Sequence, residues 1–186
     1  MPLFTKLLTL LGVRRKEINV LVVGLDNSGK SSVMNHFKPK EGKVTEMVPT
    51  VGFSVEKFTF KSINVTASDM SGQGRYRNLW EHYYSGVEGI IFVIDSTDSL
   101  RFVVVRDELE MMLKHSDLKD KGIPILFLAN KSDLPSSQSS SQISSAIGLS
   151  NIITNNPWII ISSNAVQGDG LEEGIDWLVE QLSRKR

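Results

Sequence analysis

Gly24-Leu25-Asp26-Asn27-Ser28-Gly29-Lys30-Ser31 follows directly on the apolar run Val20-Leu21-Val22-Val23. The octad satisfies G-x-x-x-x-G-K-[ST], and its place after a strand-like run matters as much as its letters. A buried strand that feeds a glycine-bearing loop and then a helix turns several backbone N–H groups toward one point, a geometry that cradles phosphates. On this reading Asp26, Asn27, Ser28, Gly29, Lys30, Ser31 and Ser32 form the cradle, Lys30 reaches the outer phosphates and Ser31 ligates Mg2+. The loop by itself says neither which nucleotide it holds nor why.

Apolar runs alternate with amphipathic ones along the chain. Residues 18–23, 53–60, 63–67, 89–94, 123–129 and 158–161 read as six strands, with helical patterns between most of them. Two strands meet at Lys61-Ser62 with no room for a helix, which predicts an antiparallel hairpin. The rest is β-α alternation: a mainly parallel six-stranded sheet with one antiparallel edge strand, helices on both faces, and the ligand at the carboxyl ends of the strands. Residues 100–113 and 171–182 have helical spacing and read as scaffold. Seven serines among residues 136–145 predict a short, weak helix there, because their side chains compete for backbone partners.

Composition narrows the setting. A chain of 186 residues suits one domain with a full core. Lys+Arg and Asp+Glu are both 21, so charge balance gives no general nucleic-acid-binding surface. With no Cys, disulfides, thiolate metal sites, a Cys nucleophile and cysteine-linked lipids are excluded. No apolar run approaches a membrane span and no secretory signal is read, so the expectation is a cytosolic protein.

Two further motifs fall at strand ends in the order a nucleotide hydrolase requires. In Asp69-Met70-Ser71-Gly72-Gln73, Asp69 would hold Mg2+ through a water, the Gly72 N–H would approach a terminal phosphate, and Gln73 would orient the attacking water. The motif D-x-x-G has little value alone; position gives it meaning. Asn130-Lys131-Ser132-Asp133 decides the base. The Asp133 carboxylate can accept from both the ring N–H and the exocyclic amine of guanine, a donor pair adenine lacks, and the Lys131 stem would cover one base face.

With these motifs in place, the chain resembles an Arf-family small GTPase over nearly its whole length. Pro49-Thr50-Val51-Gly52-Phe53 resembles the family's first switch, which implies that Thr50 ligates Mg2+ and senses the γ-phosphate. Asn164-Ala165-Val166 followed by Gly168-Asp169-Gly170-Leu171 resembles the last base-contacting loop, implying that the Ala165 N–H meets the guanine carbonyl. The stretch Gly72-Gln73-Gly74-Arg75-Tyr76-Arg77-Asn78-Leu79-Trp80-Glu81-His82-Tyr83-Tyr84 is most similar to the Arf-like branch of the Bardet-Biedl group. That resemblance implies recruitment of the BBSome coat to membranes for ciliary traffic, with an exchange factor and a GTPase-activating protein as regulators. The chain departs from the family in four places. Pro2 and Lys6 break the myristoylation pattern, Ser71 replaces a usual Gly, and Ser68 stands where many Arfs carry a Trp.

Residues 1–16 read as an N-terminal amphipathic helix ahead of a small GTPase domain over 17–186. Leu3, Phe4, Leu7, Leu8, Leu10 and Leu11 cover one apolar face and Arg14-Arg15-Lys16 follow, a pattern suited to a membrane interface through residues 3–16. The resemblance implies that this helix docks with GDP and is released with GTP as the hairpin shifts register. Without a lipid the attachment would be weak and reversible. The expected state is a monomer, cytoplasmic with GDP and peripheral to a membrane, at the ciliary base, with GTP.

Catalysis on this reading is positioning and electrostatics by Lys30, Mg2+ and Gln73. No Arg is seen beside Gln73 to act in cis, so hydrolysis is expected to be slow without an activating protein. Two alternatives compete: a GTP-locked recruitment module with vestigial hydrolysis, and an Arf-like GTPase of another trafficking branch. A small-molecule kinase is a poorer fit, having no use for Asn130 to Asp133.

Overall fold

The structure, a computed structural model, describes residues 16–38, 42, 43, 48, 50–60 and 63–184. The helix expected over residues 3–11, Pro49 and the Lys61-Ser62 turn lie outside the described residues. The sheet comprises β1 (Lys16–Val23), β2 (Phe53–Phe60), β3 (Ile63–Met70), β4 (Gly89–Asp95), β5 (Ile125–Asn130) and β6 (Trp158–Ser163). Between them run α1 (Lys30–Phe37), α2 (Phe102–Lys114), α3 (Ser140–Ile147), the short α4 (Leu149–Ile152) and the terminal α5 (Leu171–Arg184).

Strand order is β2-β3-β1-β4-β5-β6. The β2–β3 pair is antiparallel and the others are parallel, as the hairpin reading requires. A parallel sheet must be covered on both faces, so its central strands are apolar throughout. β4 shows this: all seven of its residues are buried. Successive side chains point to opposite faces, and two cores result. Ile90, Phe92 and Ile94 pack with Val105, Leu109 and Ile143. Ile91 and Val93 pack on the other face with Val33, Ile175 and Leu178.

Several strands run past their expected ends at the carboxyl side. β3 continues through Ser68 and Asp69 to Met70, and β5 reaches Asn130. Hydropathy loses these polar residues, but the ladder keeps them: Asp69 pairs in register with Val22 and Ser54, and Asn130 with Asp95 and Ser163. The serine-rich helix is short but not weak. Ser139 caps it through a reciprocal capping box with Gln142, and Ile143 and Ile147 are buried beneath it. A ten-residue 3-10 helix, Gly74–Tyr83, follows Gln73. Such runs rarely exceed three or four residues.

Candidate functional site

The loop between β1 and α1 is shaped by positive φ. Gly29 sits at φ 95° and a Cβ there would lie 2.2 Å from Asn130 Nδ2. Asn27, at φ 62°, is of a residue type that tolerates the left-handed region. The loop borders a cleft of about 340 Å³ lined by Asp26, Asn27, Gly29, Lys30, Ser31, Ser32, Val48, Thr50, Ser71, Gly72 and Gln73. Lys30 is buried and its Nζ donates to the Leu25 carbonyl at 2.8 Å. Burial lowers its pKa to about 8, against the pull of the Asp69 and Asp26 carboxylates.

Three oxygen-bearing side chains from separate segments meet beside it. Ser31 Oγ donates to Asp69 Oδ2 at 2.8 Å and lies 3.0 Å from Thr50 Oγ1, which is itself 3.5 Å from Asp69 Oδ2. Burial raises the Asp69 pKa; its hydrogen bond from Ser31, the Lys30 charge and the Thr50 hydroxyl oppose that rise. Asp69 Oδ1 is buried with no hydrogen-bond partner. Two hydroxyls and a carboxylate with a spare oxygen are the hard-oxygen donors that Mg2+ takes alongside phosphate and water, so the residues present fit the ion. Among the described residues, the other buried side-chain atoms without a partner are the Oγ atoms of Ser28, Ser96 and Ser163. All lie at the carboxyl edge of the sheet, and such atoms require a polar explanation.

The expected base end is tied together by Asn130. Its Nδ2 donates to the Ser28 carbonyl at 2.9 Å, and its Oδ1 accepts the Ala165 N–H at 2.9 Å. The Ala165 N–H, expected to meet a guanine carbonyl, thus already has an acceptor, which a base would share or displace. Lys131 adopts φ 65°, an uncommon conformation for a long side chain. Its Nζ pairs with Asp95 Oδ2 at 2.5 Å, holding the stem in place. Burial pulls the Asp95 pKa up, but the Lys131 and Thr97 hydrogen bonds outweigh it and the net shift is downward. Asp133 is exposed on the following turn.

One detail differs from the sequence reading and another adds to it. Gly72, whose N–H is expected to approach a phosphate, also closes on the loop through its carbonyl, which accepts the Asp26 N–H at 3.1 Å. A Cβ at Gly72 would lie 2.2 Å from the Leu25 carbonyl carbon and 2.3 Å from Asp26 N, so the two backbones are in direct contact. Gln73 does have an arginine neighbour: Arg75 Nε donates to Gln73 Oε1 at 3.1 Å. Arg101 Nη1 pairs with Asp26 Oδ1 at 3.0 Å, and Arg77 Nη2 lies 3.6 Å from the same oxygen. Sequence reasoning missed Asp95, Arg77 and Arg101. A carboxylate closing the apolar run of β4 was a readable signal for Asp95; the arginines, 51 and 75 positions from Asp26 (77 − 26 and 101 − 26), carried none.

Comparison with known proteins agrees with this geometry. A profile described as the ADP-ribosylation factor family matches residues 4–182. An ADP-ribosylation factor-like protein 6 from Danio rerio is 53% identical over 182 residues, covering 98% of this chain and 97% of the relative. One of the same description from Caenorhabditis elegans is 41% identical over 184 residues, covering 99% and 96%. A solved Arl6 BBS3 small GTPase from Trypanosoma brucei, with bound nucleotide analogue GppNp, superposes with a TM-score of 0.86 at 37% identity, covering 92% of this chain and all of that one. The chain belongs to the ADP-ribosylation factor family. It is a small GTP-binding switch and a GTP hydrolase.

Proposed function

We propose that this chain cycles between GDP and GTP at the cleft above and, with GTP bound, recruits a BBSome-like coat to membranes. The observation that supports the reading best is the meeting of Ser31, Thr50 and Asp69 from three separate segments beside Lys30, with Asp69 Oδ1 unpartnered. Ser31 and Thr50 would hold Mg2+ directly and Asp69 through a water; the ion would offset phosphate charge. Lys30 supplies a desolvated ammonium to the outer phosphates. Asp26, Asn27, Ser28, Gly29, Lys30, Ser31 and Ser32 surround them, with Gly72 closing from the opposite side. Asn130 fixes the loop to the base end, Lys131 covers the base, Asp133 reads its edge and Ala165 its carbonyl. Gln73, on the rim of the cleft, orients water for attack on the γ-phosphorus.

Thr50 would tie the ion to the first switch, which makes the site sensitive to the γ-phosphate. Residues 16–186 act as the GTPase domain, since Lys16 already belongs to β1 and not to the expected 1–16 segment, and residues 1–15 act as the membrane-facing segment. The chain works as a monomer, cytoplasmic with GDP and peripheral to a membrane at the ciliary base with GTP. An exchange factor and a GTPase-activating protein set the timing.

The test combines single-turnover hydrolysis with capture from cell lysate on GTP-loaded and GDP-loaded chains. Slow Mg2+-dependent hydrolysis that Gln73→Leu lowers at least tenfold, with coat subunits retained on the GTP form alone, is the expected result. Equal capture by both forms would sink the recruitment reading, and hydrolysis indifferent to Gln73→Leu the catalytic one.

A further inference from the structure

Arg77 sits where three parts of the molecule meet. Its Nε donates to the Gly72 carbonyl at 2.9 Å. Its Nη1 pairs with Glu108 on α2 at 2.9 Å, and its Nη2 faces Asp26 Oδ1 at 3.6 Å. The Arg77 and Glu108 side chains are only 16% and 15% exposed, so this pair is far less screened than the exposed Arg75 contact to Gln73. A planar guanidinium with five donors can serve three directions at once; an ammonium on a flexible stem cannot hold that geometry.

The Gly72 carbonyl is fixed from two sides, by Arg77 Nε and by the Asp26 N–H at 3.1 Å. That oxygen belongs to the same planar peptide as the Gln73 N–H. Fixing it sets the direction in which the chain enters Gln73, which is extended, at φ −64° and ψ 134°, just ahead of the 3-10 helix. Contact between Gly72 and the Leu25-Asp26 backbone leaves the peptide little freedom to tilt. Glu108, in turn, anchors the guanidinium to a helix packed into the core through Val105, Leu109 and Met112.

We infer that Arg77 is a positioning residue for hydrolysis. Braced by Glu108 and flanked by Asp26, it orients the Gly72–Gln73 peptide so that Gln73 borders the phosphate end of the cleft. The inference rests on the reading that Gln73 aligns the attacking water. Arg77 itself touches no reacting atom; its effect passes through the peptide plane. A purely structural role would lower stability and nucleotide affinity together, whereas a positioning role lowers the chemical step at nearly constant affinity.

The experiment uses the full chain with Mg2+ as wild type, Arg77→Met, Arg77→Lys, Glu108→Gln, Gln73→Leu and the double variant Arg77→Met/Gln73→Leu. Single-turnover GTP hydrolysis, GDP dissociation constants from a fluorescent analogue, and Tm are measured on each. Arg77→Met should slow hydrolysis on the order of tenfold, since misplacing a reacting group by a fraction of an ångström has that scale of effect, with the GDP dissociation constant within about threefold. Arg77→Lys should not rescue the rate, Glu108→Gln should give a smaller loss, and Arg77→Met should add nothing on the Gln73→Leu background. Should Arg77→Met fail to fold, Glu108→Gln carries the test, because it withdraws only the bracing charge. An unchanged rate in the variant tested, or an equal loss with and without Gln73, overturns the inference. Hydrolysis indifferent to Gln73→Leu overturns both it and the reading beneath it, whereas a Gln73-dependent rate that ignores Arg77→Met and Glu108→Gln overturns it alone.

Discussion

At the expected base end, beside the cleft, Asn130 engages the Ser28 carbonyl and the Ala165 N–H, and Lys131 is held by Asp95. At the phosphate end, Ser31, Thr50 and Asp69 converge from α1, the segment before β2 and the end of β3, and one carboxylate oxygen stays without a partner. The base end is therefore held together by its own side chains on strands β4, β5 and β6, although the Ser96 and Ser163 hydroxyls there also lack a partner. The phosphate end leaves polar capacity over and draws on a segment, around Thr50, outside any strand. A pocket cross-linked by its own residues suits recognition of one fixed chemical group. A pocket with spare ligands suits a group whose presence changes, because the protein's contacts there depend on what arrives.

Asp133→Asn probes the base end most severely. It replaces an acceptor-only carboxylate with an amide that turns a donor toward the guanine N–H groups, so GTP affinity should fall on the order of a thousandfold while xanthosine triphosphate gains. Competition binding with both nucleotides measures it, and equal loss for both would mean Asp133 does not read the base. Asn130→Ala should come next. It leaves the Ser28 carbonyl and the Ala165 N–H unpaired, at about 1–3 kcal/mol for each buried group. Nucleotide affinity should drop about a hundredfold and Tm should fall by several degrees. A stable variant with normal affinity would break the idea of a preassembled base end.

The smallest effect is a pH dependence confined to the phosphate end. Lys30, its pKa lowered to about 8, must carry its proton to bind phosphate. GTP affinity should be level below that pH and weaken above it by up to about tenfold per unit as binding takes up the missing proton. The nucleotide-free chain should respond in the opposite sense. Between about 8 and the ordinary lysine value of 10.5 an unfolded chain binds the proton that the folded chain has released, so stability rises with pH across that window. Titration calorimetry and thermal melts on wild type and Lys30→Arg separate the two trends, and a slope that survives in Lys30→Arg would assign it to another group.

Much of the fold was legible because hydropathy alternates with period: the strand runs, the hairpin at residues 53–67 and the scaffold helices all follow from it. The capping box at Ser139 and Gln142 was equally readable, and composition alone obscured it. Strand ends were misjudged where they carry the site, since Asp69 and Asn130 are polar yet stay in the ladder. The 3-10 segment after Gln73 left no periodic signal.

The sequence by itself determined the phosphate loop, the order of the motifs and the kind of atoms each offers, because these depend on local geometry and on side-chain chemistry. Only the tertiary structure decided that Asn130 bonds a carbonyl 102 residues away, that Asp95 holds Lys131, and that Arg77 joins Gly72 to Glu108. Those pairings follow from strand order and from how helices settle on the sheet. They are packing outcomes, and apart from Arg77 and Gly72, five residues apart, no short window of sequence contains both partners.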